Sequence, residues 1–401
     1  MIERVIQTLK DRRNRVLQGE INCIPFTFSR FTKDLPGIEK DKYYLISGSP
    51  KAGKSQIANF MFLYTPILYA YHNPDKVRVK IFYFPLEETP ENITLRFMSY
   101  LLYTMSDIRI APIDLKSTNS EKVLPEEILN ALESNEYQEI LKFYEENVLF
   151  LSDRNPTGIF KTLLKYAEST GTVHKKIVNI TNKETGLVEK REVFDYYEPN
   201  DPKEYVVVIT DHVSLLESER GFTLRETINK FSEYMMILRN KYHYIPVVIQ
   251  QQSTETNSLE AFKNSKIRPT MAGLSDSKYT AKDASVMLGI TNPYAFELPE
   301  YLGYDITKLR GNVRFLEIVL NREGESNGVV GLYFDGATNY FNELPLPGNR
   351  KEMEKVYGYI NNIIRGKTNP VFILLSRGKT KIVKDLRNRK LFSKFANLFN
   401  Q

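Results

Sequence analysis

Between residues 48 and 55 the chain reads Gly48-Ser49-Pro50-Lys51-Ala52-Gly53-Lys54-Ser55, which fits G-x-x-x-x-G-K-[ST] at every fixed position. Few stretches this short restrict a fold as much. The pattern needs a strand that delivers the chain and glycines that let the backbone close on phosphate oxygens. It also needs a helix whose first N–H groups point at the anion. The flanks comply: Tyr43 to Ile46 is a short apolar strand, and residues 54–65 read as a helix. In such a loop Lys54 reaches the β- and γ-phosphates and the Ser55 hydroxyl ligates Mg²⁺, while Lys51 is a solvated variable position. The segment is therefore expected to hold a nucleoside triphosphate and Mg²⁺.

A phosphate loop of this kind needs a second carboxylate to hold Mg²⁺ through water. Val206-Val207-Val208-Ile209-Thr210-Asp211 supplies one, an apolar strand ending in an acid where strand tips face the ligand. For polarising an attacking water, Glu87 and Glu88 both follow the strand Val77 to Phe84, and their chemistry alone does not separate them. Pro90 to Leu102 then reads as a helix capped by Thr89, with proline at the favoured first position.

Further strands are expected at Val148–Leu151, Tyr205–Ile209, Ile245–Gln250, 285–290, 314–320, 329–334 and Val371–Leu375. Helices are expected at 1–18, 157–168, 224–241 and 351–365. Strands that alternate with helices imply an α/β fold with a mostly parallel central sheet covered on both faces. Residues 173–197 alternate around an Asn-Lys-Glu-Thr-Gly turn and read as an inserted β-hairpin. This gives an N-terminal docking helix (1–23), an ATPase domain (24–345) and a C-terminal helix with a basic tail (346–401).

Composition narrows the setting. With 42% hydrophobic and 26% charged residues, the chain has the make-up of a folded globular protein. One cysteine, Cys23, cannot form an internal disulfide, and four histidines besides make a structural zinc a poor fit, which suits a reducing, cytoplasmic setting. The longest apolar stretch, Phe60 to Tyr71, is interrupted and too short to span a bilayer, so no membrane partner is expected. From Arg377 onward there are eight basic residues and one acid, a net +7 against +6 for the whole chain. The body is close to neutral and the tail carries the basicity, either as a solvated helix face or as a nucleic-acid or partner-docking tail.

Several segments together carry a family resemblance. Leu86-Glu87-Glu88, Thr210-Asp211-His212-Val213-Ser214-Leu215, and Pro246-Val247-Val248-Ile249-Gln250-Gln251-Gln252 occur in the order seen in DnaB-family replicative helicases, the hexameric RecA-like motors. Arg268-Pro269, Leu274-Ser275-Asp276-Ser277 and Asp283-Ala284 resemble the segment with their DNA-facing loop. Ile318-Val319-Leu320-Asn321-Arg322, with Gly328 and Phe334-Asp335-Gly336, resembles the closing hairpin that bears the arginine finger. The likeness spans roughly residues 24–342, and the Asp-His pair is similar to phage primase-helicases. The tyrosine-rich body and basic end resemble helicases of tailed phages such as the crAss-like group, which would place the protein in a host cytoplasm.

The resemblance implies a RecA-like core with a C-terminal β-hairpin region, acting as a 5′–3′ DNA helicase that hydrolyses ATP. It selects Glu87 over Glu88 as the catalytic carboxylate and makes Gln252 the γ-phosphate sensor. It makes Arg322 a finger supplied to the neighbouring subunit of a hexameric ring. Lys263, Lys266, Arg268 and Lys278 would track single-stranded DNA in the channel, and a primase, loader or polymerase would be a further partner. Two departures stand out: Leu320 replaces a lysine usual in the family, and only 47 residues precede Gly48, too few for a collar domain or fused primase. Rival readings are a RecA-like recombinase, an ATP-gated assembly or loading factor, a packaging motor and a small-molecule kinase. No carboxylate cluster supports a packaging nuclease, and no lid motif supports a kinase.

Overall fold

The computed structural model describes residues 2–121, 123–181, 188–253 and 267–364. The expected strand Val371–Leu375, the basic segment from Arg377, and Lys263 and Lys266 lie outside the described residues. In chain order, β1 (Tyr44–Gly48), β2 (Arg78–Pro85) and β3 (Val148–Phe150) precede a separate hairpin of β4 (Gly171–Thr181) and β5 (Val188–Pro199). Then come β6 (Glu204–Asp211), β7 (Ile245–Gln251), β8 (Val286–Thr291), β9 (Val313–Asn321), β10 (Val329–Asp335) and β11 (Tyr340–Glu343). Nine of these strands form one sheet in the order β11-β10-β9-β8-β1-β7-β6-β2-β3. Neighbours from β8 to β3 run parallel. Those from β8 to β11 run antiparallel.

The central strands are apolar on both faces, as strands sandwiched between helices must be. Ile46, Ile209, Ile249 and Ile290 point into one core. A first helix, α1 (Ile2–Leu17), precedes the sheet, and this core is shared with α2 (Lys54–Asn59), α3 (Thr65–His72), α4 (Pro90–Ser106) and α5 (Asn135–Asn147). Leu45, Val208, Val248 and Met287 point into the opposite core, against α6 (Pro156–Ser169) and α7 (Leu224–Tyr242). No helix among the described residues is long and apolar enough to cross a membrane.

Local signals explain most boundaries. Thr89 accepts a hydrogen bond from the Asn92 N–H at the start of α4, and Thr223 with Glu226 forms a full capping box on α7. The helix expected over 54–65 instead runs on to His72, straight through Pro66. A π-helical turn, Phe60–Tyr64, joins α2 to α3 just before that proline. The wider turn eases the clash of the proline ring with the carbonyl four residues back.

The parallel register aligns the strand tips. Gly48 pairs with Gln251 on one side and Ile290 on the other, and Pro85 pairs with Asp211. At the other end of β1, Tyr44 pairs with Val286, which pairs in turn with Asn321. The β4–β5 hairpin joins α6 to the start of β6, so it springs from that same end.

A final helix, α8 (Arg350–Ile364), closes a small third core with Tyr304, Phe315 and Tyr333. Beside it, Arg109 makes two bonds to the carboxylate of Asp335, at 2.7 and 2.9 Å, and Asp335 is fully buried. Removing the arginine leaves a buried carboxylate whose only remaining partner among the described residues is the Ala337 N–H. Arg109→Met is expected to lower unfolding stability by on the order of 2–3 kcal/mol in denaturant titrations. Adding Asp335→Asn should recover most of that loss.

Candidate active site

The loop after β1 owes its shape to its two glycines. A Cβ on Gly48 would come within 2.5 Å of the Ile290 carbonyl, so no other residue lets β1 lie this close to β8. Gly53 has φ +103, a conformation that side chains resist, and it turns the loop into α2. Between them Pro50 and Lys51 are exposed, while Ser49 and Ala52 are buried, as is Lys54 just after Gly53. The Lys54 ammonium donates to the Ser49 carbonyl at 3.0 Å. Burial pushes the Lys54 pKa down, and Asp211 and Glu87 oppose that shift.

Opposite the loop stands Asp211, at the tip of β6. Burial pushes its carboxyl up to about 6; the Ser55 hydroxyl and Lys54 hold it down, and Glu87 and Glu88 add to the rise. Its Oδ1 is buried and makes no hydrogen bond among the described residues. Its Oδ2 lies 3.5 Å from the Tyr83 hydroxyl, which donates to Asn59 at 3.0 Å. A buried carboxylate oxygen without a proton donor, beside a serine hydroxyl, fits a hard divalent cation such as Mg²⁺.

The two adjacent glutamates part company in space. Glu88 is spent on Arg96, which approaches it through Nε at 3.2 Å. Glu87 instead faces the pocket, with its carboxylate 3.6 Å from His212 Nε2. His212 is buried, and burial pushes its pKa down against the opposing pull of Glu87. The side-chain amide of Gln251 lies 3.5 Å from the same His212 nitrogen. Glu87, His212 and Gln251 thus form a connected row beside Asp211.

Gln252 is placed differently from the role expected for it. It is buried on the other face of β7, donating to Ser47 Oγ at 2.8 Å and to the Thr270 carbonyl at 3.1 Å, and accepting from the Thr270 N–H. Side chains alternate along a strand, so only Gln251 can share the pocket face with Asp211. Gln252 ties the phosphate-loop strand to the base of the following loop instead.

The basic residues also divide. Arg268 is paired with Glu317 on β9, with Nε to Oε2 at 2.8 Å, rather than standing free for DNA. Lys278 is exposed. Arg322 is exposed just past β9, its Nε donating to the Ala284 carbonyl at 2.8 Å and its Nη2 to that of Lys282. It lies at the Tyr44 end of β1, four residues or ~13 Å of strand from Gly48. Arg322 therefore does not reach the phosphate loop of its own chain.

Sequence reasoning gave no separate role to His212, Gln251 or Arg314. His212 directly follows the strand-end acid, and that adjacency was the available signal. Three consecutive glutamines gave no indication of which one faces the pocket.

No protein-family model and no curated protein matches the chain. Solved structures do. The separately solved ATPase domain of one DnaB-like replicative helicase superposes with a TM-score of 0.57 at 14% identity, covering 86% of this chain and 99% of that one. A DnaB-like replicative helicase studied with respect to its interactions with primase superposes with a TM-score of 0.55 at 14% identity. That match covers 85% of this chain and 66% of the helicase, so the chain spans just under two thirds of its length. At such identity the likeness is one of fold.

An ionised Asp211 without a cation costs stability. Because its folded-state pKa is raised, the stability present below about pH 4 is lost as pH rises through about 6. Nucleotide-free Asp211→Asn should therefore be more stable than wild type at pH 7–8 by on the order of 2–3 kcal/mol, the gap closing on acidification. The same variant should lose stabilisation by Mg²⁺–nucleotide; pH-independent equality of the two melting curves would contradict the assignment. The sheet order and these neighbours together give the chain a mixed α/β fold of the RecA-like kind, with a large, mostly parallel central sheet.

Proposed function

We propose that this chain is the ATPase motor of a DnaB-like replicative helicase, hydrolysing ATP at the subunit interfaces of a homo-oligomeric, hexameric ring to move along single-stranded DNA. The observation that carries the reading is the separation of Arg322 from Gly48 to opposite ends of β1. A finger at that position serves a phosphate loop only on a neighbouring copy, as in a head-to-tail ring.

In this reading Lys54 and the loop N–H groups bind the β- and γ-phosphates, and Ser55 and Asp211 hold Mg²⁺. The cation, when bound, supplies neutralisation of charge on the phosphate oxygens. Glu87 orients and polarises the attacking water, with His212 fixing its carboxylate. Gln251 replaces Gln252 as the group that senses the γ-phosphate. Gln252, through Ser47 and Thr270, carries the state of the loop to the segment that includes Lys263, Lys266 and Lys278, which would contact DNA phosphates. Catalysis is then positioning and charge neutralisation, completed when Arg322 of a neighbour arrives. Phage-type origin, 5′–3′ movement and docking of a primase, loader or polymerase belong to the same proposal.

ATP turnover measured with and without single-stranded DNA at low salt tests it. Wild type should be stimulated by DNA, Lys54→Ala should be inactive, and Glu87→Gln should lose about 10²–10⁴-fold in kcat while still binding nucleotide. Turnover indifferent to DNA would argue for an ATP-gated assembly factor instead.

A further inference from the structure

Arg314, on β9, is a charged side chain only 7% exposed. Its Nε donates to the Ala52 carbonyl at 2.7 Å, and its Nη1 donates to the carbonyls of Gly311 at 3.0 Å and Val313 at 2.7 Å. The guanidinium lies 4.6 Å from the centre of the Phe334 ring. Among the described residues no carboxylate pairs with it, and Nη2 makes no hydrogen bond. Burial pushes its pKa down to about 10, so it remains charged at neutral pH.

Burying an unpaired charge is costly, and carbonyl dipoles repay only part of the cost. A chain selected for stability alone would be as well served by methionine at this position. The carbonyl that Arg314 holds belongs to the phosphate loop itself, one residue before Gly53. Across a trans peptide the C=O and the next N–H point in opposite directions. Drawing the Ala52 carbonyl toward β9 therefore aims the Gly53 N–H away from β9, toward the side where β7 and β6 bring Gln251 and Asp211.

We infer that Arg314 is a nucleotide-binding residue of the positioning kind: it sets the Ala52–Gly53 peptide so that the Gly53 N–H faces the phosphates. Its buried positive charge finds its counter-ion only when a nucleoside di- or triphosphate is bound. The inference rests on the nucleotide reading of Gly48–Ser55 and adds to it a residue from outside the loop. It predicts an unusual signature. Removing Arg314 should leave the empty protein as stable as before, or more stable, and weaken the bound state.

Thermal unfolding and binding titration of the full chain with Mg²⁺–ADP and with a non-hydrolysable ATP analogue test this, comparing wild type, Arg314→Met and Arg314→Lys. In the expected result, nucleotide-free Arg314→Met melts at or above the wild-type temperature. Its affinity for both ligands falls about 10–100-fold, and the ligand-induced rise in Tm shrinks accordingly. Arg314→Lys, which keeps the charge but not the planar fork, should lie between the two. An Arg314→Met protein that fails to fold, or that melts lower when empty yet binds ADP like wild type, would make Arg314 structural and overturn the inference. If wild type itself binds neither ligand, the nucleotide reading falls and this assignment with it. That outcome is distinct from the first because it appears without any substitution.

Discussion

The end of the sheet that carries the Gly48–Ser55 loop depends on how closely β1 can lie between its two parallel neighbours. The Gly48 backbone approaches the Ile290 carbonyl so tightly that a side chain there would force the strands apart. With that contact in place, the tips of β1 and β7 end at one level, β6 ends two residues short of them, and the chain must turn sharply into α2. The same alignment brings Asp211 and Gln251 to the mouth of the loop without any long-range device beyond the register of the sheet. A parallel sheet buried on both faces is a stiff platform, and a site built on strand ends inherits that stiffness.

The polarity of the sheet has a second consequence. Groups after the carboxyl ends of β1, β2, β6 and β7 converge on the phosphate loop, whereas β9 runs antiparallel to β8 and delivers Arg322 to the far end. An arginine there donates to the carbonyls of Ala284 and Lys282 in its own chain, leaving Nη1 without a partner in the described residues. Glu87, Lys54, Ser55 and Asp211 assemble within one chain, but no cation from the finger position joins them. In the proposed motor, hydrolysis then depends on the closing of an interface, which is how a ring can couple chemistry to movement.

How much of this was legible in sequence depends on distance along the chain. The phosphate loop could be read because its requirements are local, and Asp211 because an apolar run announces its strand and its end. The choice between Glu87 and Glu88 turned on a partner, Arg96, one helical stretch away. The glutamine assignment fell on Gln252, whereas Gln251 is the one turned toward His212, because a strand alternates with period two and three successive glutamines hide the phase. Arg268 read as a DNA contact because Glu317, its ion-pair partner, is 49 residues away and on another strand. Arg314 carried no signal, since an arginine opening a strand reads as a solvated edge until β9 is placed against the loop. The continuation of α2 through Pro66 was hidden because a π-turn leaves no composition mark.

The central claim is that each site is shared between two copies, and subunit mixing tests it most directly. Lys54→Ala and Arg322→Ala proteins, each without ATP turnover alone, would be combined at varying ratios with single-stranded DNA present. The account predicts that activity returns and is greatest near equal proportions, since an intact Lys54 then meets an intact Arg322 across some interfaces. Mixed assemblies that form, yet stay as inactive as either parent, would contradict it.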